Sequence, residues 1–251
     1  MTDAMTNKTE SRPLPARGGA RAGETMIDVR NELRQAILTG ELVAGSVISS
    51  VQLANKYGVS RTPMREALRM LQEEGFVTIA HNQRPRVATF SSEELEAVFA
   101  QRMLLSALCT SMTVPALTAA DLDEMGRLLD EVTAAEQRGD LEAWQEADPA
   151  FHNSHTMHAP AAIQSDLDKL TERSQMFRYM WLGQRLTSMD LSMDDHHDIY
   201  EACVARDAPR AAAVAARHLA TVAITLLART DPAHEPIAVR QALRLASSAS
   251  A

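Results

Sequence analysis

The run YGVSRTPMREALRMLQEEG, Tyr57–Gly75, constrains the fold more than any other part of the chain. Ser60 can cap a helix whose first turn accepts Pro63. Met64, Ala67, Leu68 and Leu71 recur at helical spacing and predict its inward face as far as about Glu74. Arg61, Arg65 and Arg69 stand four apart and fall on the other face. Upstream, a helix is expected from about Thr25 to Thr39, with Ile27, Leu33, Ile37 and Leu38 on one side and Gly40 closing it. A short connection over 41–48 leads to a second helix, capped by Ser49 or Ser50 and ending at Tyr57-Gly58. Ala54 is small where two helices must cross closely, and Gly58 supplies the positive φ of the turn. Downstream, GFVTIAHNQRPRVATF alternates in two short runs around a polar, proline-containing turn, which predicts a small β-hairpin. Helix, short turn, helix, hairpin is the order of a winged helix-turn-helix.

A cationic stripe on such a helix suits the phosphates and base edges of duplex DNA. Backbone NH groups at the helix start, with Ser60 and Thr62, can hold a phosphate. Arg61 and Arg65 lie close enough to the tip to reach guanine edges, and Arg69 extends the same face. His81, Arg84 and Arg86 lie on the hairpin, within reach of the neighbouring groove. The plain alternative is a solvated helix face; the Ala54–Gly58 crossing and the basic hairpin argue against it. The chain is acidic overall, at -8, but residues 24–90 carry 8 Lys and Arg against 7 Asp and Glu, whereas residues 91–251 carry 13 against 24. The acidity therefore belongs to the C-terminal part, and a near-neutral domain still binds phosphate if its cations share a face.

Residues 1–23, with Pro13, Pro15, Gly18, Gly19 and Gly23, predict a disordered tail. The DNA-binding domain is expected over 24–90 and an all-helical domain over 91–230, with a flexible tail over 231–251. Helical segments are expected at about 92–113, 119–138, 141–158, 161–186, 192–206 and 208–229, interrupted at Pro115, Gly139-Asp140, Pro160, 187–190 and Pro209. The fold class is thus mainly α: the winged helix-turn-helix and a six- or seven-helix bundle. Aromatics make up 4% of the chain, and Ala, Leu and Met fill the core, as helices prefer. Cys109 and Cys203 each sit in an apolar helical pattern and read as reduced core residues. No apolar run approaches a membrane span and the N-terminus has no signal-type segment, so a cytoplasmic protein with no membrane partner is expected.

The helical part concentrates its chemistry in histidines. Asp148 and His152 are four apart, so one helix face carries both. DDHHDIYEACVARD supplies His196 or His197, and the next segment supplies His218. One carboxylate and three imidazoles suit a divalent ion such as Zn, Ni or Mn. The plain alternative is polar or pH-sensitive surface. Pro149 removes a helix NH between the first two candidates, so either the helix kinks there or a new one starts with Asp148 as its cap. His155 and His158 are spare candidates.

The runs LRQAILTGELVAGSVIS and LANKYGVSRTPMREALRMLQEEGFV resemble the DNA-binding domain of GntR-type bacterial transcription regulators over about residues 26–90. The resemblance implies Arg61, Thr62 and Arg65 as recognition-helix contacts and His81 with its neighbours as wing contacts. Asn82-Gln83-Arg84 stands where the wing turn often has glycine, and Val51 where an arginine can occur early in the second helix. Both departures bear on base preference relative to the family's short GT…AC inverted repeat. A β-rich or aminotransferase-like effector domain would need strand signals or far more length. The helical part instead resembles the FCD effector domain over about 92–229, its six segments nearer the VanR-like subgroup. That pattern implies Asp148, His152, His196 and His218 as metal ligands. Ile199, three residues on, selects His196 over His197, and Asp195 replaces a glutamate.

The resemblance further implies that the metal coordinates a small organic acid inside the bundle. Arg102 matches a family arginine able to pair with a carboxylate, against the plain reading of a surface arginine. Tyr179, with Arg178 and Trp181, could line the pocket or serve as core or dimer contacts. The expected function is a homodimeric repressor that holds an inverted-repeat operator and releases it when a carboxylate effector binds. Two alternatives stand beside it: a metal-free FCD-type regulator taking an acyl or other apolar effector, and a metal-dependent hydrolase. The second is disfavoured because four protein ligands leave little room for a reactive water and no general base lies nearby in sequence, so no enzyme activity is expected.

Overall fold

The computed structural model describes residues 22–38, 40–80, 83–182 and 193–248. Residues 1–21 of the expected N-terminal tail lie outside this range. The chain divides into two compact units, Met1–Thr89 and Phe90–Ala251.

The first unit contains α1 (Ala22–Leu38), α2 (Ser50–Tyr57), α3 (Arg61–Glu73), β1 (Val77–Thr78) and β2 (Arg86–Val87). Ser49, not Ser50, caps α2, its hydroxyl accepting from the Gln52 NH at 3.3 Å. Gly58 takes φ 66° and returns its NH to Ala54 and Asn55, the left-handed closure that a side chain would strain. Ser60 has the extended backbone of a cap, but its side chain makes no capping bond, contrary to expectation. Met64, Ala67, Leu68 and Leu71 are buried, with Val29, Leu33, Ile37, Leu53, Ala54, Phe76, Val77 and Val87. Ile27, expected on the inward face of the first helix, is exposed; Val29 and Ala36 share that face with Leu33 and Ile37 instead. The hairpin is antiparallel with Val77 opposite Val87, and Val47 bridges Arg86 on the far side.

The second unit contains α4 (Ser92–Thr113), a short 3-10 turn (Val114–Ala116), α5 (Ala119–Arg138), α6 (Leu141–Ser154), α7 (Ala161–Leu182), α8 (Met193–Val204), α9 (Ala208–Thr230) and α10 (Ile237–Ser248). α4 and α9 form the central pair; α7 and α10 pack on α4, and α8 packs on α9. α5 and α6 form a neighbouring hairpin. Phe99, Met103, Phe177, Leu219, Val222 and Leu226 fill the centre. Each turn has its local cause. Thr118 and Asp121 form a capping box, Gly139 closes α5 at φ 65°, and Asp140 and Asp207 cap the next helices.

Contrary to the sequence reading, two stretches, Ser92–Ala116 and Ala208–Thr230, are apolar and long enough to cross a membrane by length and composition. Their apolar windows are 61% and 67% buried against the rest of the unit, as befits core helices.

The C-terminal segment corrects the sequence reading. Residues 231–251 were expected to be loose, but Ile237–Ser248 form α10, a seventh bundle helix. Val239, Ala242 and Ala246 pack into the core. Buried Glu96 on α4 holds its start. One carboxylate oxygen accepts from the Ala238 and Val239 NH groups at 2.6 and 3.2 Å, and the other meets His234 Nε2 at 2.7 Å. An acid from elsewhere in the chain thus satisfies NH groups that no local side chain caps.

Candidate functional site

The DNA-facing candidates lie on one helix and one hairpin. Ser60, Arg61, Thr62, Arg65 and Arg69 are exposed, on the side of α3 opposite its buried residues. Arg61 and Arg65 have no protein partner among the described residues, whereas Arg69 pairs with Glu73 at 3.2 Å. Arg84 is exposed on the hairpin turn. Arg86 donates to the Gly45 carbonyl at 3.1 Å, so it also ties the wing to the loop before α2. His81 lies outside the described residues. The unbonded Ser60 hydroxyl and the first NH groups of α3 remain available to a phosphate.

The histidine candidates come from three helices. α6 runs unbroken through Pro149, with Asp140 as its cap, so Asp148 does not cap a new helix. Asp148 and His152 therefore share one face. His196 on α8 and His218 on α9 complete the group: one ring nitrogen from each of His152, His196 and His218 lies within 4.8 Å of the others. His152 Nε2 and His196 Nε2 are 3.3 Å apart. Asp148 Oδ1 borders the cluster, 3.6 Å from His152 Nε2 and 3.7 Å from His196 Nε2. His197 is exposed, which settles the choice between the adjacent histidines for this cluster. His155 is buried and bonds Thr110 Oγ1 at 2.9 Å, and His158 meets Asp121 at 3.1 Å near the surface; neither joins the group.

Burial sets the electrostatics. It drives the His196 imidazole down to about 3, helped by His152 and Arg178 and opposed by Asp148. Burial likewise holds His218 and His155 well below the ordinary histidine range. Desolvation would raise the Asp148 carboxyl, but Arg178, His152 and His196 outweigh it and keep the group ionised far below the usual carboxylate range. Neutral imidazoles and a charged carboxylate are the protonation states a metal ion needs. Asp148 Oδ1 and His196 Nδ1 are buried without a hydrogen-bond partner. For a tetrahedral ion with bonds of about 2.0–2.1 Å, ligand atoms stand about 3.3 Å apart; the spacings of 3.3–3.7 Å among His152, His196 and Asp148 come close to that edge, and the His218 nitrogen lies within 4.8 Å of the other two histidines. The residues present therefore fit a divalent ion.

Arg102 is not a surface arginine. It is buried on α4, donates to Ser174 Oγ at 2.8 Å, and burial lowers its guanidinium to about 10, with Asp148 opposing the shift. Arg178 on α7 faces Asp148 at 3.4 Å and stacks over Trp144 with its guanidinium carbon 4.1 Å from the ring centroid. These two cations share a cavity of about 10 Å³ with Asp148, His152 and His218, roughly the room of one water. The Tyr179 and Trp181 side chains lie outside the described atoms. Ser174, Gln175 and Trp144 were not singled out from sequence; nothing in their local spacing distinguishes them from ordinary helix positions.

Residues 26–87 match the model of the family described as bacterial regulatory proteins, gntR family, and residues 97–221 match the FCD domain. The HTH-type transcriptional repressor GlaR of Escherichia coli (strain K12) is 26% identical over 206 residues, covering 78% of this chain and 93% of that protein. An HTH-type transcriptional regulator in an unstable DNA locus of Streptomyces ambofaciens is 30% identical, covering 78% and 82%. LutR of Bacillus subtilis (strain 168) is 29% identical, covering 74% and 94%. Among solved structures, E. coli McbR/YncC superposes with a TM-score of 0.67 at 22% identity, covering 80% of this chain and 96% of that one, and so shares the fold. With both halves matched in order, the chain belongs to the gntR family of bacterial regulatory proteins, carries an FCD domain, and is a transcriptional regulator, not an enzyme.

Proposed function

We propose that this regulator is a homodimeric repressor that binds an inverted-repeat operator and senses a small organic acid beside a divalent ion in its helical unit. The observation that carries the sensing half is the convergence of buried His196 and His218 with half-buried His152, beside Asp148, Arg102 and Arg178. His152, His196, His218 and Asp148 would hold Zn, Ni or Mn. The bound ion supplies a Lewis-acidic site for a carboxylate oxygen. Arg102 supplies a guanidinium fork for the same group. The cavity is one water in size, so an acid enters only as the Arg178–Asp148 pair and its neighbours shift. That coupling gives the effector a state it prefers, and DNA the other.

On the operator side, Arg61 and Arg65 read base edges, while Ser60, Thr62 and the α3 NH groups hold phosphate. Arg69, Arg84, Arg86 and His81 add backbone contacts. GlaR, a repressor by name, supports the direction of control.

The test is elemental analysis of purified protein, followed by a thermal-shift screen of small carboxylates with and without chelator. One ion per chain, and carboxylate stabilisation that chelator abolishes, are expected. A metal-free protein stabilised by apolar compounds instead would replace this reading with direct apolar sensing.

A further inference from the structure

The cavity beside the histidines holds more positive charge than its own residues balance. Its lining presents two guanidinium groups, Arg102 and Arg178, against one carboxylate, Asp148. The other buried acid among the described residues of the helical unit, Glu96, is engaged by His234 and the start of α10. Arg102 donates to a neutral acceptor, Ser174 Oγ, and burial lowers its guanidinium to about 10. Arg178 faces Asp148 at 3.4 Å, long for a charged hydrogen bond, and its Nε is buried without a hydrogen-bond partner. A divalent ion held by Asp148 and the histidines would raise the excess from one positive charge to three. Buried charge without a partner is costly, so the site favours a ligand that brings more than one anionic group.

We propose that the effector is a short dicarboxylic acid and that Arg178 binds its second carboxylate. The inference rests on the reading above, in which the first carboxylate meets the ion and Arg102, and it narrows that reading to one ligand class. Three observations carry it beyond the excess of charge. The Nε edge of a guanidinium can grip a carboxylate in two parallel bonds, and on Arg178 the Nε is open. The same guanidinium stacks on Trp144, its carbon 4.1 Å from the ring centroid, which holds its plane without using its donors. Ser174, which holds Arg102, and Arg178 stand one turn apart on α7, about 6 Å along its axis. Four- and five-carbon diacids separate their carboxyl carbons by about 4–5 Å, so one molecule spans the two cations, whereas an anion with a single charged centre does not.

Entry and recognition then share one step. The acid enters as the Arg178–Asp148 pair opens, and the freed guanidinium is the group that the second carboxylate engages. A monocarboxylate opens the same pair but leaves Arg178 with nothing in place of Asp148.

The experiment uses the full chain loaded with zinc and titrated calorimetrically with acids of matched length, succinate against butyrate and glutarate against valerate. In at least one pair the diacid should bind at least about tenfold tighter, as one added charged hydrogen bond requires. A smaller ratio in both pairs would overturn the inference, and binding by the monoacids would leave the carboxylate reading standing. If none of the four acids binds, nor any other small carboxylate in the thermal-shift screen, both fall. Arg178→Met should erase the preference, lowering the diacid's affinity to that of its monoacid. A preference kept in that variant would remove Arg178 from the second subsite. Circular dichroism and zinc content verify its fold and its ion; if it misfolds, the wild-type ratio decides.

Discussion

The two functional regions are built in opposite ways. The DNA-facing region is local and exposed: five candidates lie between Ser60 and Arg69 on one turn-and-helix segment, with water on one side. The histidine region is non-local and buried: its groups come from α4, α6, α7, α8 and α9, with Arg102 and His218 separated by most of the unit's length. Exposed cations keep their charge at little cost and wait for phosphate. Buried imidazoles lose theirs, which suits the Lewis acid proposed above. One region is poised by being left outside, the other by being taken inside.

That contrast is sharpest in what single changes should do. Asp148→Ala leaves Arg178, 11% exposed, without its carboxylate, which should cost the helical unit about 3 kcal/mol, the low end for breaking a buried pair, read by denaturant unfolding; a change within 1 kcal/mol, on the order of a surface pair, would show that the carboxylate is not buried in solution. His218→Ala should lower bound metal from one ion to well below, with an affinity loss beyond the about 10–100-fold typical of groups behind the ligands. Full stoichiometry in both His218→Ala and His152→Ala would reject the ligand set.

Acid should separate the regions too. His196, held at about 3, stays neutral in the folded protein while the unfolded chain protonates below about 6.5. The unfolded state then binds more protons, so the metal-free helical unit should lose stability as pH falls from about 6.5 toward 3, by up to about 1.4 kcal/mol per pH unit per such histidine. Unfolding curves that stay level over that window would remove the neutral cluster.

On the exposed side, Arg65→Ala should weaken operator binding by about 1–3 kcal/mol without moving the melting temperature. Unchanged affinity would take it out of the interface. Arg69→Ala should do least. Its Glu73 partner already engages it, so about 0.5 kcal/mol and a salt slope smaller by about 1 are expected from titrations at several salt concentrations.

Much of the architecture was legible along the chain because its causes are local. Gly58, Ser49, Thr118, Gly139 and Asp140 act on neighbours within a turn, and the apolar period of α3 separates its buried and exposed faces without outside help. α10 was not legible. Its cap is Glu96, far away in sequence, and the Ala/Ser-rich composition masks the helical period by which Val239, Ala242 and Ala246 face inward. Ile27 misled because an apolar side chain at helical spacing can still face outward when Val29 and Ala36 share the inner face.

By itself, the order of residues determined the winged helix-turn-helix, its cationic stripe and the helical character of the rest, since capping, turns and periodicity operate over a few residues. Only the tertiary structure decided that His196 and not His197 meets His152 and His218, that Pro149 leaves Asp148 facing them, and that Arg102 lies beside them in the interior. The reason is physical. A backbone cap is specified by angle and hydrogen bond within one turn, whereas a buried polar cluster exists only where packing brings distant helices close enough to exclude water and compensate each other's charge.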